Sequence, residues 1–164
     1  MKTLLCTTTI VALMASPVFA GEMVFPSDAP VASATFPDDW QPQETDTGID
    51  VTSPDDAIYF AIDVTEPADI NKTMHEAQVY LKSKGVALDL SSAKQTNGPL
   101  NGRQLISIEL DGTDEDGPVT ITIGILMLSD AKTLVLTYWG TKDTQDNGSF
   151  QTVVTIVKSI KPAG

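Results

Sequence analysis

The groups in this chain with the most capacity for chemistry are one histidine and a large surplus of carboxylates. His75 is followed by Glu76, the opening of the helical zinc-protease pattern, in which a second histidine one turn later completes a metal-binding face. Position 79 is Val79, so that chelate is missing, and a lone histidine excludes any multi-histidine metal centre. A Ser-His-Asp triad would have to use the same His75, and no nucleophile-elbow sequence accompanies it. His75 is therefore expected to face solvent or to cap a helix.

The densest charge lies in Asp111-Gly112-Thr113-Asp114-Glu115-Asp116-Gly117, which brings Asp111, Asp114, Glu115 and Asp116 together. A calcium loop needs oxygen ligands at alternate positions, Gly at the sixth and a bidentate Glu at the twelfth. Counting from Asp111, those places hold Thr113, Asp116 and Thr122, so the segment is not an EF-hand. The expectation is a solvated turn whose charges oppose edge aggregation, with weak Ca²⁺ binding or a protein partner as the functional alternative.

Asp38-Asp39 and Asp55-Asp56 have the composition of a glycosidase acid/base pair. Each pair follows a proline in a turn-forming sequence, where Asp is favoured for local backbone hydrogen bonds. Gly98-Pro99-Leu100-Asn101-Gly102 lacks the lysine of a phosphate-binding loop. Trp40 and Tyr138-Trp139 could line a pocket or interface, but aromatics at strand ends more often cover a core. No cofactor is expected.

The compartment follows from the first twenty residues. Lys2 precedes an apolar run from Leu4 to Met14, and Ala15-Ser16-Pro17-Val18-Phe19-Ala20 places small residues where a signal peptidase reads them. Residues 1–20 are thus expected to be a cleaved signal peptide, because the run is too short to cross about 30 Å of hydrocarbon. Cys6, the only cysteine, leaves with it, so the mature chain has neither disulfide nor thiolate metal site. Loss of Lys2 leaves nine basic residues against 22 acidic ones, a net charge of −13. That surface repels phosphates, which argues against nucleic-acid and anionic-membrane partners. No later segment has the length of a transmembrane anchor, and the expected location is secreted, in a bacterial periplasm.

The elements that must position these groups come from periodicity. Residues 21–33, with Pro26 and Pro30, are expected to be an irregular lead-in, and residues 34–164 a single domain. Thr35 to Trp40 is a short strand meeting a turn. Ile49 and Val51, the turn Ser53-Pro54-Asp55-Asp56, and Ile58, Phe60, Ile62 and Val64 make a β-hairpin. Ile70, Met74, Ala77 and Leu81 recur at helical spacing, with Asp69 as the expected cap and Gly85 as the stop. Strands follow around Ser92–Thr96, Arg103–Asp111, Val119–Leu128 and Thr133–Trp139, the first two joined by the turn signal Asn101-Gly102. Their connections are too short for parallel crossovers, so they form an antiparallel meander. In Val119–Leu128 the odd-numbered side chains are expected to be buried throughout, the even-numbered ones only at the far end. Phe150, Val153, Val154 and Val157 then predict a closing helix.

This α+β order, with Phe36-Pro37-Asp38-Asp39-Trp40 near its start, the Gly98–Gly102 turn leading into the meander and Ser159-Ile160 at its close, resembles the PsbP-like superfamily over roughly Thr35 to Lys161. That group includes the extrinsic P subunit of photosystem II and DcrB-type envelope proteins. The resemblance implies a three-layer α/β/α sandwich around an antiparallel sheet, and a binding or assembly role without catalysis. The expected function is accordingly a non-catalytic module for an unidentified protein partner. The alternatives are an envelope hydrolase using carboxylates in a cleft and a weak divalent-cation binder.

Overall fold

A computed structural model describes residues 19–142 and 148–163. The expected signal peptide therefore lies outside the described residues, except for the backbone of its last two positions. The elements are β1 (Phe19–Phe25), β2 (Ala32–Pro37), β3 (Gln43–Glu44), β4 (Gly48–Thr52), β5 (Ile58–Thr65), α1 (Ile70–Ser83), β6 (Ala87–Leu100), β7 (Arg103–Asp114), β8 (Gly117–Met127), β9 (Thr133–Thr141), α2 (Gly148–Ser159) and β10 (Lys161–Pro162). Seven strands form one antiparallel sheet in the order β3-β4-β5-β9-β8-β7-β6, and β1-β2-β10 form a small second sheet. The hairpin β4–β5 and the meander β6–β9 both follow the sequence signals. They merge because β9 pairs along the whole of β5, Ile58 opposite Gly140 through Thr65 opposite Thr133.

Alternation along the central strands divides the core in two. Leu134, Leu136 and Tyr138 of β9 pack with Phe60 and Ile62 of β5, with Val153 and Ile156 of α2, and with Phe25 and Phe36 of the small sheet. Val135 and Trp139 point the other way, into a cluster with Leu81 of α1, Val86, Leu110, Val119, Ile121 and Ile123. The sheet thus carries a separate apolar cluster on each face, one under each helix.

Helix α1 buries Ala77 and Leu81 of the expected stripe together with Thr73, which was not in it, while Ile70 and Met74 are only half-buried. Its stop is as expected: Gly85 takes φ +83°, and the Val86 amide donates to the Leu81 carbonyl at 3.0 Å, closing the last turn. Its start is not, because Asp69 makes no capping hydrogen bond with its side chain. A 3-10 turn over Pro67–Asp69 leads into the helix, and the Thr73 hydroxyl is placed against the Asp69 carbonyl at 3.3 Å and Thr65 Oγ1 at 2.9 Å. The turn at Asn101-Gly102 has both residues at positive φ, +51° and +77°, the pair that a two-residue hairpin matching strand twist requires.

Three expectations are corrected. Residues 21–33 are irregular only over 26–31, where both prolines lie: β1 ends at Phe25 and β2 starts at Ala32, and both of these residues are fully buried. The strand expected at Ser92–Thr96 runs from Ala87 to Leu100, with a register shift between Asp89 and Lys94. It is an exposed edge held by backbone pairing to β7, so no apolar alternation announces it. In β8 the odd-numbered face is buried at Val119, Ile121 and Ile123 but opens at its end, where Met127 is 42% exposed.

Candidate functional site: an acidic and aromatic trough beside α1

On β5, alternation that turns Phe60 and Ile62 into one cluster turns Tyr59, Ala61 and Asp63 toward α1. The helix answers with Thr73, Glu76, Ala77 and Tyr80, spaced i, i+3, i+4, i+7 on one face. Between them lies a pocket of about 380 Å³, completed by the turn residues Thr45, Asp46 and Thr47, by Asp50 of β4 and by Thr137 of β9. A second pocket of about 510 Å³ shares Tyr59 and Tyr80 with the first and is lined by Asp55, Asp56, Lys84, Asp114, Glu115, Asp116 and Trp139. The ring of Tyr59 lies 5.1 Å from that of Tyr80 and 6.3 Å from that of Trp139, so three aromatics connect the two pockets into one trough.

Of the acidic residues singled out in the sequence, Asp114, Glu115 and Asp116 line this trough and Asp111 does not. Asp111 is ion-paired with Lys142 at 2.8 Å. The expected loop from Gly112 to Pro118 is much tighter than anticipated: β7 and β8 run on until Asp114 faces Gly117, leaving only Glu115-Asp116 at the turn. Asp114 explains this. Its Oδ1 accepts the amides of Asp116 (2.9 Å) and Gly117 (3.1 Å), and its Oδ2 accepts the indole N–H of Trp139 at 3.0 Å. One carboxylate both closes the turn and fixes the edge of the trough. Among the described residues no group of three or more His, Cys, Asp or Glu side chains is arranged to hold a metal ion.

The remaining candidates are placed with equal definition. Asp55 accepts the Ser53 hydroxyl, which holds its carboxyl below the ordinary range, and its neighbour Asp56 sits at φ +56° in the same turn. Asp38 and Asp39 are exposed on a 3-10 turn, His75 is exposed on α1, and Trp40 and Tyr138 are 4% exposed as core members.

Sequence reasoning missed Asp50, Asp63, Tyr59 and Tyr80. Burial pushes the Asp63 carboxyl up, against the Thr47 hydroxyl that donates to it at 2.6 Å, and the negative charges of Asp50 and Glu76 push the same way as burial. Burial likewise raises Asp50, against the opposing effects of the Tyr59 hydroxyl, which donates to it at 3.3 Å, and of Lys84. The Tyr59 phenol is pushed far up, first by burial and then by Asp50. The available signal was the face of β5 left over once Ile58, Phe60, Ile62 and Val64 were assigned inward. A polar face beneath an amphipathic helix is covered, not solvated.

A further cavity of about 290 Å³ lies on the other face, between α2 and the sheet. Leu105, Leu136, Phe150, Val153 and Val157 wall it, and Lys158 is the only charged residue among the described ones that line it.

The fold is PsbP-like. The chain is similar to the solution structure of cyanobacterial PsbP (CyanoP) from Synechocystis sp. PCC 6803, with TM-score 0.55 and 10% identity over 94% of this chain and 98% of that one. It is similar to LpqN of Mycobacterium tuberculosis, a protein involved in cell envelope biogenesis, with TM-score 0.53 and 15% identity over 88% and 91% of the two chains. It also matches a protein of Bacteroides thetaiotaomicron, with TM-score 0.57 and 12% identity over 87% of this chain but only 48% of that one. No family model matches the sequence, and no curated protein matches it.

Proposed function

We propose that the chain is exported, loses residues 1–20, and works in the periplasm as a non-catalytic binding or assembly module whose acidic trough receives a basic segment of a partner protein. One observation carries this reading. Asp55 and Asp56 from the β4–β5 turn meet Asp114, Glu115 and Asp116 from the β7–β8 turn around the rings of Tyr59, Tyr80 and Trp139. Acidic groups framing aromatic faces suit lysine and arginine side chains, which combine ion pairing with cation–π contact. Lys84 already illustrates the chemistry, its Nζ lying 5.3 Å from the Tyr80 ring centroid.

The fold adds support, since LpqN is involved in cell envelope biogenesis. No helix among the described residues is long and apolar enough to cross a membrane. In the same reading the architecture is a three-layer sandwich, with α1 on one face of the large sheet and α2 with the small sheet on the other.

The test is affinity capture from envelope extracts with the tagged mature chain, comparing the wild type with a folded Glu115→Lys/Asp116→Lys variant. The reading expects a partner whose retention falls steeply with the charge reversal and with added salt. Equal retention by both proteins overturns it.

A further inference from the structure

The inner pocket of the trough differs from the outer one. Its carboxylates come from the β3–β4 turn (Asp46), β4 (Asp50), β5 (Asp63) and α1 (Glu76), with Tyr59 and Tyr80 as walls. Among the described residues that line it there is no Lys, Arg or His. Two basic groups act on them from outside the lining: Lys72, which reaches the outer edge of Glu76 at 3.7 Å in an exposed pair of little strength, and Lys84, which lies over the Tyr80 ring and acts on Asp50 through its charge. A second, independent observation comes from Thr137. Its side chain lines the pocket from the central strand β9, it is 2% exposed, and its Oγ1 has no hydrogen-bond partner. A buried hydroxyl left unpaired costs about 1–3 kcal/mol, and a site that supplies its partner on binding recovers that cost.

We infer that the inner pocket binds a primary alkylammonium group, which lies between Asp50 and Asp63, donates to Thr137, and packs its methylenes on Tyr59 and Tyr80. The inference deepens the reading of the trough as a receptor for basic groups. The choice of cation follows from the donors required. A quaternary ammonium would satisfy the charge and the rings but has no N–H for Thr137 or the carboxylates, whereas R–NH₃⁺ has three. An arginine fork suits planar bidentate partners, while these acceptors converge from three different strands, β4, β5 and β9. The ammonium has two chemical sources, a free diamine or a lysine side chain of the partner.

The test is a titration of the purified mature protein followed by amide chemical shifts, with three probes: cadaverine, N-acetyl-lysine-N′-methylamide and tetramethylammonium. Saturable shifts at Ala61, Ala77 and Thr137 are expected with cadaverine, with the capped lysine, or with both, and the tighter of the two identifies the source. Tetramethylammonium is expected to bind at least about tenfold more weakly, one lost charge-assisted hydrogen bond being worth about that factor. Asp63→Asn should weaken the better probe about tenfold. Thr137→Val, which removes the unpaired hydroxyl without changing shape and so keeps the fold, should weaken it severalfold. Absence of saturable shifts, equal binding of tetramethylammonium, or unchanged affinity in folded Thr137→Val overturns the inference. This readout needs no partner protein, so it stands or falls separately from capture on the outer trough.

Discussion

At the scale of single residues, Asp63 is where structure and energetics diverge most. A carboxyl whose pKa is raised by folding holds its proton to higher pH in the folded state than in the unfolded chain. Its contribution to stability is therefore complete below the unfolded value, about 3.9, and is lost as the pH rises through the higher folded value. Asp63→Asn keeps an oxygen to accept the Thr47 hydroxyl but removes the titration. The variant should gain on the wild type as the pH goes from 4 to 7, measured by urea unfolding at both ends, and parallel profiles would refute this. Asp50, raised in the same way by burial, titrates alongside, so some of the slope remains in the variant. Nothing in the sequence around Asp63 announces this. Its spacing from Tyr59 and Ala61 was visible, but the identity of the element covering that face was not, because α1 approaches from outside the hairpin and its register against β5 is set by packing. Asp114 shows the converse case: the acidic cluster was legible as a turn, while the indole that Asp114 holds lies on β9, 25 residues away in sequence.

At the scale of elements, periodicity was a good guide wherever one face of a segment is buried. The hairpin, the meander and both helices were legible for that reason, including α2, whose β-branched residues individually favour strands but whose apolar positions repeat at helical spacing. It failed where burial is one-sided through backbone pairing alone, as in β6, or where a strand belongs to a separate small sheet, as in β1. The two-cluster core makes a specific energetic prediction. Ile156 of α2 and Leu81 of α1 are both 0% exposed, on opposite faces of the sheet, so Ile156→Ala and Leu81→Ala should each cost about 2–5 kcal/mol. Val79, 55% exposed on α1, should tolerate Ala within about 0.5 kcal/mol. Chemical denaturation of the three variants decides it. A cost below 1 kcal/mol at either buried site would mean that its helix is not docked as described.

At the scale of the whole molecule, 22 acidic residues against 10 basic ones make self-repulsion a standing cost of the compact state. Salt screens it. Raising NaCl from 20 to 500 mM should therefore raise the melting temperature by a few degrees in calorimetry, whereas a decrease would show that the sparse ion pairs outweigh the repulsion. The small sheet has another outcome, concerning the order of events. Strand β2 is the middle of that sheet, flanked by β1 and by β10, and the Thr35 amide also donates to the Ser159 hydroxyl at 2.8 Å. A chain delivered amino end first, from a ribosome or through a translocon, presents β2 long before α2 and β10 exist to cover it. Closing a loop of more than a hundred residues is slow relative to local pairing. The cluster around Phe25 and Phe36 is thus finished last: it also takes in Val153, Ile156 and Ile160, so this half of the core closes only when the first strands and the last strand of the fold have met.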